Sequence, residues 1–455
     1  MANKNLLTYN AKVTQVEQAY FSPVAVLPPP FGTSISTTYC FLSHIDPWSD
    51  DNNPPQPTQD QAYLKNVFKS MFVAKQIYSS DISPVIQRID WTSGQTYDYY
   101  IDNIDMFQVD GSGTLILNFY VRNRYDQVFK CLWNNNGQPS IQEPFFQPGS
   151  YGTNNIYTGS DGYKWKYMYT IDAGLKRKFM DSTWMPVPIG ANTPNPIQSL
   201  SGYGDIEVVN VVNTGSGYDP ANSIINVTVT GDGTLASGTA EVTNGQITNI
   251  VVTNTGSNYT YANVSIQSSS GSGASAIAPV SPIGGHGFDP VSELGCSHVL
   301  FTCEFNGREN GKIPVDVNYR QVGLIINPIS LSSYPYPASD AIYKTTTDFT
   351  VAPGFGAYVS DETIYQGNSL AEATFKATVL SFDTASNLIY LINTSGTPTL
   401  NAPVYSASSG TTRTLLGIAT SDFQPFSGYL SYIQNRSGIQ RSADGIEQFR
   451  FVLGY

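Results

Sequence analysis

Apolar and polar side chains alternate along most of the chain, and this period of two is typical of β-strands. The stretch TYCFLSHI at 38–45 places Tyr39, Phe41 and Ile45 on one side. The stretch GYKWKYMYTI at 162–171 places four aromatic rings on one face and two lysines and a methionine on the other. We therefore predict a mainly β protein, with a multilayer β-sandwich-like core, few helices and two small inserted β-domains.

Two further stretches extend this pattern. Residues 114–138 predict a strand, a turn and a second strand that ends in a turn at Asn136-Gly137. The stretch EQFRFVLGY at 447–455 alternates to its last residue, so we expect it to form a strand of a sheet.

Helical periodicity is confined to short parts of the chain. Over 58–78, apolar residues recur at i and i+4 in two adjacent rows, which predicts a helix, and Thr58 or Asp60 is suited to cap it. A shorter helix is predicted near 13–21. The proline-rich and Asx-rich stretch between His44 and this helix predicts a loop.

An internal repeat sets residues 201–280 apart. NTGS occurs at 213 and again at 254, and each copy continues with a tyrosine and an alternating strand. Two copies are too few for a solenoid. We predict a small duplicated β-domain, rich in Gly, Ser and Tyr, inserted into a larger one.

Residues 345–420 form the second predicted insert, because two alternating strands there flank a DTASN turn. The remaining segments, 1–200 with 281–344 and 421–455, are predicted to form one discontinuous core.

Charge is scarce in this chain. Charged residues make up 13% of it, against roughly 25% in typical soluble proteins, while 30 tyrosines help to raise the aromatic share to 13%. Contact surfaces are poor in Lys and Glu and rich in aromatic residues, so the composition favours a protein held among neighbours. A net charge of −12 argues against general binding to nucleic acid or anionic membranes.

Targeting signals and disulfides are not expected. The first residues lack the apolar core of a signal peptide, and no apolar run is long enough to span a membrane. The four widely spaced cysteines are expected to be reduced thiols. We expect a protein that is made and assembled in a cytoplasm.

Three sets of residues are candidates for a metal-binding or catalytic site. Cys296, His298 and Cys303 suggest zinc, but on a strand Cys303 points away from the other two, so we favour core residues. His286, in GGHGFDP, is better explained by a turn than by a catalytic elbow. A third set, Asp46, Asp50 and Asp51, lacks the spacing of a calcium loop. We predict no catalytic, cofactor-binding or metal-binding residue and no small-molecule substrate.

Arginines cluster near the C-terminus, at Arg436, Arg441 and Arg450. A phosphate site would favour a glycine-rich turn that opens a helix, whereas SADG and a strand follow Arg441. We therefore expect these guanidinium groups to lock the structure by binding carbonyl or carboxylate oxygens.

The same stretch, 427–455, resembles the C-terminus of a family of baseplate wedge subunits of contractile-tailed phages, the gene-product-eight type. The positions that match the family pattern are Gly428, Tyr432, Asn435, Arg436, Ile439, Asp444 and Glu447, whereas Gln434, Gly438 and Gly445 depart from it. Four more segments are similar to the family in the same order, at 44–55, 85–94, 128–171 and 284–295.

The resemblance implies a structural virion protein of the tail baseplate, without catalytic residues. It implies a homodimer that binds other wedge proteins and links the wedge core to peripheral proteins that carry fibres. Two alternatives remain open: a carbohydrate-binding tail adhesin or depolymerase, in which the tyrosine-rich repeats stack on sugars, and a zinc enzyme built around Cys296 and His298.

Overall fold

A computed structural model of the chain describes residues 9–21, 37–147, 155–189, 202–219, 225–332, 334 and 337–455. The chain forms two compact units. Unit 1 comprises Met1–Glu17, Ser83–Leu300 and Val452–Tyr455, and unit 2 comprises Gln18–Ile82 and Phe301–Phe451. The first eight residues, for which no signal peptide is expected, and the predicted boundary at 200/201 lie outside the described residues.

The described helices are short: α1 (Tyr9–Phe21), α2 (Gln61–Ser70), α3 (Ala173–Phe179) and α4 (Pro290–Glu293). The strands before residue 200 are β1 (Thr38–Ser43), β2 (Met71–Ile77), β3 (Ile82–Gln87), β4 (Tyr120–Arg122), β5 (Gln127–Asn134), β6 (Ile156–Thr158), β7 (Tyr163–Thr170) and β8 (Trp184–Pro186). Those of the repeat region are β9 (Asn210–Ser216), β10 (Ile225–Gly231), β11 (Ser237–Thr243), β12 (Gln246–Asn254), β13 (Ala262–Gln267) and β14 (Ser272–Ile277). The others are β15 (His298–Asn306), β16 (Asn318–Ile326), β17 (Ile342–Lys344), β18 (Thr347–Val351), β19 (Thr363–Gln366), β20 (Phe375–Asp383), β21 (Leu388–Gly396), β22 (Pro403–Ser406), β23 (Thr412–Ala419), β24 (Tyr429–Gln440) and β25 (Ile446–Gly454). The predicted mainly β fold is confirmed.

The predicted helix over 58–78 is wrong beyond Ser70. Asp60 caps α2, since its carboxylate accepts the N–H of Tyr63 at 2.8 Å, but the chain turns extended at Met71. The following residues form β2, which pairs with both β1 and β17. Hydrogen bonding on two sides of a buried strand outweighs the helical spacing of the apolar residues.

In unit 2, an antiparallel sheet has the strand order β17-β2-β1-β16-β24. Every residue of β1 is buried. The alternation at 38–43 therefore does not correspond to one solvent-exposed face and one buried face of the strand. Tyr39, Phe41, Val67 and Ile325 belong to the core that the sheet shares with α2.

In unit 1, a second sheet has the order β4-β5-β7-β6. The aromatic face of β7 packs as predicted, since Tyr163 and Trp165 are fully buried with Phe129. The opposite face is buried as well, including Lys164 and Lys166. Alternation therefore located the strand but not the burial of its lysine side.

The duplication is present in the structure, and its two copies exchange strands. The first strand of one copy, β9, pairs with β14 of the other, and β12 pairs with β11 in the same way. Between them, β10 pairs with β13. Because each copy completes the other, the region has one core, drawn from residues 206–280.

Equivalent residues of the two copies make the same hydrogen bond. The side chain of Asn213 accepts the N–H of Gly215, and 41 residues later the side chain of Asn254 accepts the N–H of Gly256. Both glycines have positive φ, at 61° and 63°, and a Cβ at either would lie within 2.6 Å of backbone atoms.

The region 345–420 contains a closed barrel with the strand order β18-β21-β20-β19-β22-β23. The turn between β20 and β21 lies at the DTASN sequence, as predicted, since Asp383 pairs with Leu388. The barrel has its own core, drawn from residues 349–415.

The duplication makes a testable prediction for Gly215 and Gly256. Replacing either glycine by alanine should lower the free energy of unfolding by about 2 kcal/mol, because the new Cβ meets backbone and the positive φ is strained. Gly111→Ala is the control, since its Cβ would meet nothing within 4 Å. Urea denaturation should give similar losses for the two repeat variants, and a loss at one of them alone would contradict their equivalence.

Candidate functional site

Arg441 locks the C-terminal stretch of unit 2. Its guanidinium is fully buried and binds both carboxylate oxygens of Glu447, with contacts of 2.9 to 3.1 Å. It also donates to the carbonyl oxygens of Pro314 at 3.1 Å and Gly307 at 2.9 Å. The predicted locking role is confirmed for this arginine, and the arrangement leaves no open face of the guanidinium for a phosphate.

The other two arginines differ. Arg436 lies on β24, and its guanidinium sits 5.6 Å from the ring centre of Phe449. Its carbonyl oxygen accepts the indole N–H of Trp48 at 2.8 Å. Arg450 is exposed on β25. The three arginines therefore do not converge on one binding site.

Asn435 joins three parts of unit 2. Its amide oxygen accepts the hydroxyl of Tyr63 at 2.8 Å and the amide of Gln321 at 2.9 Å. Its amide nitrogen donates to the carbonyl oxygen of Pro55 at 2.8 Å. This side chain thus ties the loop before α2, the helix itself and β16 to the C-terminal stretch.

The acidic loop at 46–51 bonds internally and to the sheet. Asp51 pairs with the buried guanidinium of Arg320 at 3.0 Å and accepts the N–H of Trp48. The Arg320 hydrogen bond holds the pKa of Asp51 below its ordinary value. Asp50 accepts the N–H of Asn52 in a local turn. These carboxylates act as the caps and ion-pair partners of a loop.

A buried charge cluster is the most unusual feature of unit 1. Lys130, Glu293 and His286 are each at most 6% exposed. The ammonium of Lys130 lies 3.0 Å from Glu293 and 3.1 Å from Nδ1 of His286, and 4.1 Å from the ring centre of Tyr100. Glu293 also accepts the N–H of Gly287 at 2.7 Å. The GGHGFDP stretch is therefore a loop folded around a buried carboxylate.

The pKa values of His286 and Glu293 are both lowered in this cluster. Burial and the neighbouring Lys130 charge lower the pKa of His286 to about 3. Burial alone would raise the pKa of Glu293, but the Lys130 charge and the His286 hydrogen bond outweigh it and lower that pKa to about 2. At neutral pH the Glu293 carboxylate is thus ionised and the His286 imidazole is neutral. Burial also lowers the pKa of Lys130, and the Glu293 charge opposes that shift.

A second buried pair lies on the lysine side of β7. Lys166 contacts Glu207 at 2.6 Å, and both side chains are at most 5% exposed. Lys164 donates to the carbonyl oxygen of Val209 at 3.0 Å, and burial lowers its pKa to about 8. These contacts fasten the repeat region to the sheet of β4 to β7.

The three candidate zinc ligands do not bind a common site and make other contacts. The thiol of Cys296 donates to the carbonyl oxygen of Val85 at 3.3 Å, and the ring of His298 packs at a tilt against that of Trp184, with ring centres 4.6 Å apart. Cys303 is a buried free cysteine. Among the described residues, no group of three or more His, Cys, Asp or Glu side chains is placed to hold a metal ion.

Sequence reasoning missed Lys130 and Glu293 as a pair. The available signal was a lysine inside an otherwise apolar strand, VFKCLW, because such a lysine needs a buried partner. The partner lies 163 residues away, and nothing in a single sequence identifies it.

Comparisons with known proteins give no identity. No protein-family model matches the chain, and no curated protein sequence is similar to it. None of the helices in the described residues is long and apolar enough to cross a membrane.

Loss of the Arg441 lock is the first prediction from this geometry. Arg441→Gln should lower the free energy of unfolding by about 3–5 kcal/mol, because it leaves the Glu447 carboxylate without its buried counter-charge. Lys65→Gln, which changes an exposed cation on α2, is the control. Urea denaturation followed by circular dichroism measures both. Equal stability of the two variants would show that the fork onto Glu447 contributes little.

Acid sensitivity is the second prediction. Folding lowers the pKa of His286 from 6.5 and that of Glu293 from 4.5. Their stabilising contribution is therefore complete above pH 6.5 and is lost as the pH falls toward 3 and then 2, because the unfolded chain takes up protons first. We expect the melting temperature to fall by at least about 3 °C between pH 7 and pH 4.

The matched variants are Glu293→Gln, which removes the buried carboxylate, and Glu372→Gln, which removes an exposed one. Tryptophan fluorescence follows unit 1, since Trp133 and Trp165 lie there. Glu293→Gln should be less stable at pH 7 and should lose less on acidification, whereas Glu372→Gln should behave like the unaltered chain. The same acid slope in all three would contradict the assignment.

Proposed function

We propose that this chain is a structural virion protein, a baseplate wedge subunit of a contractile phage tail. It acts by binding, as a homodimer that links the wedge core to peripheral fibre-bearing proteins. It performs no reaction. It is made in the host cytoplasm and assembled into the tail baseplate.

The observation that carries the proposal is that the segments resembling the wedge family contact one another in pairs. In unit 2, the segment 44–55 meets the C-terminal stretch through Trp48 on Arg436 and through Pro55 on Asn435. This pairing of matched segments supports a shared fold rather than a chance likeness of separate stretches.

The same holds in unit 1. The segment 128–171 meets the segment 284–295 through Lys130 and Glu293, and it meets 85–94 through Ser140, which accepts the indole N–H of Trp91 at 3.0 Å. In these contacts, polar side chains of one matched segment bind those of another. The segments therefore serve as structural joints, which suits a scaffold protein better than an enzyme.

The adhesin alternative gains no support from the two tyrosines that end the matched repeat segments, NTGSGY and NTGSNY. Tyr218 and Tyr259 are 5% and 3% exposed, and their hydroxyls accept the N–H groups of Ala274 and Ala236. Their rings belong to the core of the repeat region and do not offer a face to a sugar.

Co-purification tests the proposed function. The tagged chain, expressed together with the other baseplate wedge proteins of its phage, should elute with them as one complex. The complex should survive at roughly 0.5 M salt, because contacts between neutral surfaces are little affected by screening. A protein that binds none of them, or one that is trimeric and binds glycans, would contradict the proposal and favour the adhesin.

A further inference from the structure

A protruding phenylalanine stands out on the barrel of unit 2. Phe355 follows β18 in the loop APGFGAYVS and is 100% exposed, more than any other large apolar side chain among the described residues. Single exposed apolar residues are common on proteins, so exposure alone says little. The support beneath this one is what distinguishes it.

Arg413 binds the backbone of this loop on both sides of Phe355. Its guanidinium is buried and donates to the carbonyl oxygens of Gly356 at 2.6 Å and Ala352 at 3.4 Å. The same group lies 5.0 Å from the ring centre of Phe382. The tip therefore rests on a buried charged group, and Phe355 is presented by a loop that is ordered before any contact is made. Ordering in advance lowers the entropic cost of binding.

An apolar groove lies at the other end of the same barrel. It has a volume of about 360 Å³, and its walls include Phe68, Met71, Leu331 and Phe426. A cavity of about 150 Å³ takes a benzene ring, so the groove has room for a phenyl ring and its backbone. Among the described residues that line it, Lys69 carries the one charge.

Phe426 marks the groove as more than a gap in packing. It has a φ of 59°, a conformation that bulky residues rarely adopt, and it is 48% exposed. Its ring meets that of Phe68 edge to face with centres 6.0 Å apart. A strained backbone that holds an aromatic ring at the rim of a groove is a feature often found at binding sites.

The tip and the groove of one chain cannot meet. Thr347, at the start of β18, lines the groove, whereas the loop begins after Val351, at the other end of that strand. Five extended residues separate them by roughly 16 Å, and Arg413 fixes the loop. Phe355 can therefore enter such a groove only on another molecule.

We infer that Phe355 of one copy of this chain docks in the groove of a second copy, and that the second copy returns the same contact. In a chain with a net charge of −12, electrostatic repulsion between two copies is smallest where the facing surfaces carry no acidic residue. The loop carries no acidic or basic residue, and the groove has no acidic one among its described residues. The two β18 strands would run antiparallel about a two-fold axis, which gives a closed, self-complementary interface.

This inference rests on the homodimer in the proposed function and names its contact. Phe355→Ser should weaken the dimer by at least about 100-fold in dissociation constant, because each dimer loses two buried aromatic anchors. Light scattering over a range of concentrations measures this. Leu235→Ser, which removes a 77% exposed apolar side chain in unit 1, is the control and should leave the constant unchanged.

A variant on the groove side guards against misfolding. Phe426→Gly removes the ring and suits the positive φ, so the fold should be as stable as before or more so while the dimer is lost. Trapping gives direct proof: a Phe355→Cys chain mixed with a Thr394→Cys chain should form a disulfide-linked dimer under mild oxidation, and neither chain alone should. The native cysteines are buried and should not compete.

Three outcomes would overturn the inference: a Phe355→Ser chain that dimerises normally, a mixture that does not cross-link, or an unaltered chain that is monomeric at all concentrations. If Phe355→Ser instead loses a wedge protein and keeps its dimer, the occupant is a different protein and the inference is wrong. A monomeric unaltered chain would also contradict the homodimer in the proposed function. After the other outcomes the chain can still dimerise and join the wedge complex, so the proposed function is tested separately.

Discussion

A charge that leaves water must meet a partner of opposite charge or several hydrogen bonds, and this constraint organises both units. Few charged residues are available, and several of them lie inside. Lys130 with Glu293 and Lys166 with Glu207 hold unit 1 together across long stretches of sequence. Arg441 does the same in unit 2. Because breaking such a pair costs more than the pair itself contributes, these contacts select one arrangement of the chain segments around them.

The two inserted regions are stabilised in a different way. Among its described residues the repeat region has no buried ion pair within its own core, and its two copies gain stability by exchanging strands around two buried tyrosines. The barrel closes on itself and leaves no strand edge. Both regions carry few charged side chains for their length, which suits a protein whose surface is to be covered by other subunits.

Period-two alternation predicted the strands well, and the duplication at an offset of 41 residues reappeared as matched turns at Gly215 and Gly256. The helix over 58–78 failed at Met71 because pairing with β1 and β17 decided the conformation there. The partner of Lys130 could not be predicted either, since alternation reports one residue's neighbours along the strand and not what a distant loop brings to its face. The locking role of Arg441 was predictable because no glycine-rich turn or helix start stood beside it.

We expect the charge-poor exterior of this chain to be covered by other subunits. A density map of the assembled phage tail tests this expectation. In such a map the chain should lie in the baseplate, with a second copy and other wedge proteins covering these surfaces. A map in which the chain stands isolated, with those surfaces open to water, would contradict it.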